Sequence, residues 1–124
     1  MGVFKSKEFA KFARKERISD EALCESIKRA ERGLIDADLG SGLIKQRVAR
    51  PGQGRSGGYR TIMAFRSHER SVFLYAFAKS GKANLSDDEL AVYRRLSRIL
   101  LSASAAEIET MLVEREVIEV VCDD

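Results

Sequence analysis

Between Lys45 and Lys82 the sequence carries nine basic side chains (Lys45, Arg47, Arg50, Arg55, Arg60, Arg66, Arg70, Lys79 and Lys82) and one acidic residue, Glu69. Like charges repel unless a partner supplies anions, so this imbalance points to a polyanion, and phosphate is the commonest one. Lys45 and Arg47 stand at alternate positions, so a strand puts both on one face. Arg60 opens a second strand-like run. Lys79 closes a third, in line with Phe73, Tyr75 and Phe77. Cations beside rings suit a single-stranded nucleic acid, because the cations hold phosphates and the rings accept stacked bases. In that arrangement Phe73 reads as core, whereas Phe77, close to Lys79, suits core and stacking equally.

Other chemistries find little support. His68 is the one histidine. It falls in a hairpin turn, so neither a histidine pair nor a Ser-His-Asp triad is on offer. No carboxylate pair lies inside the basic block, which argues against glycosidase-like or metal-carboxylate catalysis. Cys24 and Cys122 are far apart in sequence and in no metal-type spacing, and both are expected to be reduced. No metal or cofactor is expected. The stretch from Pro51 to Gly58 holds four glycines, but it lacks the Gly-Lys-Ser/Thr ending and the following helix of a phosphate-binding P-loop. It reads either as a plain hairpin connection or as a flexible loop that brings Arg50 and Arg55 over phosphates.

If the ligand is RNA, its own 2′-OH can attack the neighbouring phosphate. The protein must then orient the hydroxyl, move two protons and neutralise the crowded phosphorus. Arginine is too basic to take the proton. Arg47 and Arg60 are therefore expected to stabilise charge as forked phosphate donors. Lysine can exchange protons when its surroundings disfavour the cation, which leaves Lys45 and Lys79 as the acid/base candidates.

The elements that must position these residues follow from spacing. The chain has 124 residues, enough for one domain with its own core, and at 44% hydrophobic and 33% charged it has an ordinary globular composition. No signal peptide or membrane-length apolar run is visible, so a cytoplasmic protein is expected. Residues 6–16 read as a helix with Phe9, Phe12 and Ala13 on one stripe. Ser19 caps a second, carrying Ala22, Leu23, Ile27 and Ala30 and ending at Gly33. Residues 1–33 thus form a helical hairpin. The period then changes to two, and residues 43–79 read as an antiparallel meander in which Leu43, Lys45 and Arg47 face away from Ile44, Gln46 and Val48. Ser86-Asp-Asp-Glu89 and Ser104-Ala-Ala-Glu107 are capping boxes that open C-terminal helices within residues 87–115. The first carries Leu90, Tyr93, Leu96 and Leu100. From Glu107 to Asp124 there are seven acidic residues and one basic residue. Within this tail, residues 116–124, the apolar run Val117 to Val121 suggests a short strand docked on an open sheet edge, bringing Glu116 and Glu119 near the cationic sheet.

The run Leu43-Ile-Lys-Gln-Arg47, then Gly54-Arg-Ser-Gly-Gly-Tyr-Arg60, then Val72-Phe-Leu-Tyr-Ala-Phe-Ala-Lys79 with Ser80-Gly-Lys82, and finally Leu85-Ser-Asp-Asp-Glu-Leu90 resembles the RelE toxins, and among them the HigB-like branch. The resemblance spans about residues 34–101. It implies an α+β fold, helices packed on one face of an antiparallel sheet of three to four strands. It also implies cleavage of mRNA in the ribosomal A site and neutralisation by an antitoxin, a helix-turn-helix repressor. By motif, Arg60 matches the family's active-site arginine, Lys45 and Arg47 its basic pair, and Lys79 and Lys82 its closing basic cluster. Arg50, Arg55, Arg66 and Phe77 complete the expected RNA contacts. Tyr93 matches a family tyrosine but stands inside an apolar stripe, so a core role fits equally. The same scaffold serves ParE-type toxins that poison DNA gyrase, and a catalytically inactive RNA-binding module is a third reading. The cations clustered on the sheet favour cleavage.

Overall fold

A computed structural model describes residues 2–50, 54–78 and 85–122 of the chain, with the side chains of residue 50 and of residues 54–57 left undescribed. In chain order the elements are β1 (Gly2–Ser6), α1 (Lys7–Glu16), α2 (Asp20–Glu31), β2 (Ala37–Gly40), β3 (Leu43–Arg50), β4 (Gly54–Arg66), β5 (Arg70–Ala78), α3 (Asp87–Ser102), α4 (Ala105–Val113) and β6 (Val117–Glu119). The fold is α+β, as the sequence indicates, with a sheet larger than expected.

The caps at Ser19, Ser86 and Ser104 act as the sequence predicts, and Ser6, read as the first helical residue, is a further one. The hydroxyls of Ser6, Ser19, Ser86 and Ser104 each accept a hydrogen bond from a first-turn backbone N–H, and the last two belong to complete capping boxes; each cap contributes about 1 kcal/mol. Arg17 in the left-handed region ends α1, and α2 gives way to Gly33 at φ +81°.

Six strands form one sheet in the order β2-β3-β4-β5-β1-β6. The meander β2 to β5 is antiparallel, whereas β1 inserts parallel to β5, with Gly2 opposite Arg70. The sheet is therefore mixed. Nor do the helices share one face. The buried residues of α1 and α2 pack with Val3, Ile44, Val48, Tyr59, Met63 and Phe73. On the opposite face those of α3 and α4 pack with Phe4, Leu43, Ile62, Ala64, Val72 and Phe77. Two cores form because β3, β4 and β5 carry apolar residues on both faces, as interior strands must.

The tail docks as a strand: β6 pairs antiparallel with β1, Phe4 opposite Glu119. It does so at the edge farthest from β3, so Glu116 and Glu119 do not approach Lys45 and Arg47, contrary to the sequence expectation. Beyond β6 the backbone turns over α2. Val120 N–H donates to Val3 O at 2.8 Å, and Val121 N–H to Asp20 Oδ2 at 3.1 Å. This path brings the two cysteines together, and Cys24 and Cys122 are disulfide-bonded, not reduced as expected, with Cα atoms 5.7 Å apart. No helix of the described residues is long and apolar enough to cross a membrane.

Candidate nucleic-acid interface

The cationic site is built by register. In the β3–β4–β5 meander Arg47 pairs with Arg60, and Arg60 pairs with Phe77. Directly opposed residues share a face, so Arg47, Arg60 and Phe77 form one row across three strands. The next row is Lys45, Ile62 and Tyr75. Both rows lie on the α3 face, near the N-terminal half of that helix.

The Gly58-Tyr59-Arg60 run explains how the row is held. A Cβ on Gly58 would stand 2.1 Å from Val48 O, so only glycine lets β3 and β4 close here. Tyr59 turns to the other face, 2% exposed, where its ring meets Phe12 edge-on at 5.4 Å and its hydroxyl donates to Glu16 Oε1 at 2.7 Å. With Tyr59 anchored, alternation delivers Arg60 to the α3 face.

Arg60 is half-buried, and its Nε is buried without a hydrogen-bond partner among the described residues. A guanidinium in that state suits an incoming anion. Arg47 is oriented from both ends: its Nε lies 3.2 Å from Asp36 Oδ2, and its backbone carbonyl accepts from Arg29 Nη2. Lys45 is half-buried and lines a shallow cavity with Leu39, Ile62, Leu85 and Leu90.

Aromatic rings continue the site. The Tyr75 centroid lies 5.9 Å from Phe77 and 5.7 Å from Tyr93 of α3. Phe77 is 6% exposed and mostly core, and Phe73 is fully buried against Phe9 on the opposite face. The simple alternation 73-75-77 fails because the β4–β5 register shifts between Ile62 and Met63, so that Leu74 is an extra residue and Tyr75 joins the α3 face. Tyr93 is half-buried. Burial pushes its phenol above the ordinary 10.0, and Tyr75, Glu89 and Glu8 add to the shift. It is therefore a protonated donor at neutral pH, not a base.

The other expected residues are dispersed. Arg66 lies six residues along β4 from Arg60, about 20 Å away, and its Nη1 donates to Leu101 O at 2.9 Å. With Arg70, whose Nη1 donates to Leu100 O and Ala103 O at 2.8 and 2.7 Å, it caps the C-terminus of α3. Such a placement satisfies end carbonyls and the helix dipole, which α3 needs because its own last turn holds no basic residue. His68 sits in the β4–β5 turn at that same end, its side chain 81% exposed. The Arg50 and Arg55 side chains, together with Lys79 and Lys82, lie outside the described residues, as do residues 51–53; Gly54 to Gly58, expected to be loop, already belong to β4.

Asp36 and an arginine set on α3 escaped the sequence reading. Arg94 Nε donates to Leu39 O at 2.6 Å and Arg98 Nη1 to Ser41 Oγ at 2.7 Å, with Arg95 exposed between them. Arg94 and Arg98 form a like-charged i,i+4 pair in mid-helix, a spacing that costs stability, and that was the available signal.

A comparison with curated proteins returned no match. The family model described as the RelE toxin of the RelE/RelB toxin-antitoxin system matches residues 1–120. With nearly the whole sequence covered, and an α+β fold that carries a cationic row on its central strands, the chain belongs to the RelE toxin family.

Proposed function

We propose that this toxin is a metal-independent endoribonuclease that cleaves mRNA in the ribosomal A site. The observation that carries the proposal is the Arg47–Arg60–Phe77 row, in which a buried guanidinium Nε awaits an acceptor. The scissile phosphate lies against Arg60 and Arg47, with a flanking base against Tyr75. The 2′-oxygen bonds to phosphorus as the bond to the 5′-oxygen breaks. A proton leaves the 2′-hydroxyl and another reaches the departing oxygen, giving a 2′,3′-cyclic phosphate and a 5′-hydroxyl. The two arginines neutralise the charge that builds on the phosphate. Lys45, one row behind, and Lys79, beyond Phe77 in sequence, are proposed as proton carriers. With no histidine among these residues, the ribosome is needed to align the RNA.

A gyrase poison needs no cations gathered around one phosphate, so the row favours cleavage over the ParE-type activity. Arg50, Arg55 and Lys82 extend the RNA contact, and Arg94, Arg95 and Arg98 continue it along α3. The toxin pairs with an antitoxin as a member of its family; we place that partner, a helix-turn-helix repressor, over the basic block in the cytoplasm, and assign the chain to the HigB-like branch. Inducing the protein in cells and locating new mRNA 5′ ends relative to the reading frame tests the assignment. Cuts in frame within translated mRNA are expected. Intact mRNA with stalled DNA gyrase would refute it.

A further inference from the structure

The disulfide between Cys24 and Cys122 lies on the α1/α2 side of the molecule, whereas the Arg47–Arg60 row faces α3, and nothing in RNA cleavage uses it. Three observations make it more than a passive crosslink. First, the ends it joins are 98 residues apart in sequence, yet the fold itself carries Cys122 to α2: β6 pairs with β1, Val120 is 4% exposed, and Asp20 accepts from Val121 N–H while its other oxygen meets Lys5 Nζ at 3.0 Å. Thiols held this way face each other at high effective concentration and close readily. Second, the bond is accessible. Cys122 is half-exposed, and an open cleft lined by Glu21, Cys24, Glu25, Lys28 and Val121 reaches Cys24. Third, the residues next to the bond are lightly held. β6 is three residues long, and Val121 is 66% exposed.

We propose that Cys24 and Cys122 form a reversible redox-modification site, a latch that fixes the end of the tail to α2 when oxidised and releases it when a dithiol reduces it. A thiolate of the dithiol attacks Cys122 Sγ, the more exposed sulfur. The Cys24–Cys122 bond breaks, and Cys24 leaves as a thiolate into the open cleft it lines with Glu21, Glu25 and Lys28. The second thiol of the reductant, deprotonated, then attacks its own sulfur in the mixed disulfide and expels Cys122. Two electrons and two protons pass from the dithiol to the protein, and the reductant ends as its cyclic disulfide. Release leaves Val121 tied to α2 through its N–H bond to Asp20, an exposed contact that opens more often once the covalent link is gone, while β6 keeps its pairing to β1.

The test uses the full chain equilibrated across mixtures of reduced and oxidised dithiothreitol, with free thiols trapped by alkylation and counted by mass spectrometry. Hydrogen exchange is followed on both forms. The expected result is a monomer that passes between no free thiols and two in one step. In the reduced form exchange at Val121 and Cys122 is at least ten-fold faster, and exchange in Ser71 to Ala78 is unchanged. Cys122→Ser should exchange like the reduced protein without any reductant. Two alkylatable thiols under fully oxidised dithiothreitol, disulfides only between chains, or identical tail exchange in both forms would each overturn the proposal. None of these readouts depends on RNA cleavage.

Discussion

Replacing Arg60 by methionine should make the protein more stable and disarm it. Arg60 Nε is buried without a partner among the described residues, and Arg47 stands directly opposite on β3. An unmatched buried polar group costs about 1–3 kcal/mol, and like charges opposed across strands cost roughly 0.2–1 kcal/mol. Arg60 is only half-buried, so water discounts both terms, leaving an expected gain of about 1–2 kcal/mol for Arg60→Met. Methionine keeps an unbranched apolar stem and so preserves the packing beside Ile62 and Phe77. For a chain of this size the gain raises Tm by about 4–8 °C. Cleavage of ribosome-bound mRNA should fall by about 100- to 1000-fold, the usual effect of removing one transition-state donor. Arg60→Lys keeps the charge without the fork and should fall between the two. Thermal unfolding followed by circular dichroism gives the first quantity, and primer extension on a programmed ribosome gives the second. A Tm several degrees lower would show that the guanidinium is structural, and unimpaired cleavage would place the reacting phosphate elsewhere.

Gly58→Ala puts a methyl group 2.1 Å from Val48 O; the β3–β4 pairing should open locally, with Tm lowered by an amount equivalent to about 2–4 kcal/mol and faster proteolysis near residue 58. Arg70→Ala removes the donor shared by two carbonyls at the end of α3 and should cost about 1.5–3 kcal/mol in denaturant unfolding, with cleavage by the folded fraction unchanged. Because the folded-state value of Tyr93 is raised, its contribution to stability is fully present below the unfolded value and is lost as pH rises from about 10 through the folded value; Tyr93→Phe should flatten that alkaline fall in Tm, and an equal loss in both proteins would refute it. Purified protein should cut naked RNA far more slowly than ribosome-bound mRNA, and equal rates would show a self-sufficient active site.

The parts of the molecule legible in the sequence are those governed by short-range rules. Serine caps, the two capping boxes and the alternation of Leu43 to Val48 depend on neighbours within a few residues. The opposition of Arg47 to Arg60 follows once β3 and β4 pair. What escaped depends on distant partners. β1 is five residues long, too short for a period to declare itself, and it owes its strand conformation to Arg70–Phe73 and Val117–Glu119. Tyr75 was misaligned with Phe73 because a one-residue shift in backbone pairing leaves no mark in hydropathy. The cysteine pairing was missed because it exists only once the tail has crossed the sheet edge and turned over α2.

The placement of β1 also dictates an order of assembly. Gly2 pairs with Arg70 and Phe4 with Glu119, separations of 68 and 115 residues, whereas β3, β4 and β5 are joined by consecutive short connections. Loop-closure entropy favours the meander first. During synthesis the first strand made must therefore wait unpaired while the whole cationic meander emerges, and the sheet is not finished until residues 117–119 arrive. A toxin built this way can gather its cationic row while its far edge is still open. In that interval β5 presents an unpaired strand edge, the kind of surface that invites wrong pairing until β1 covers it.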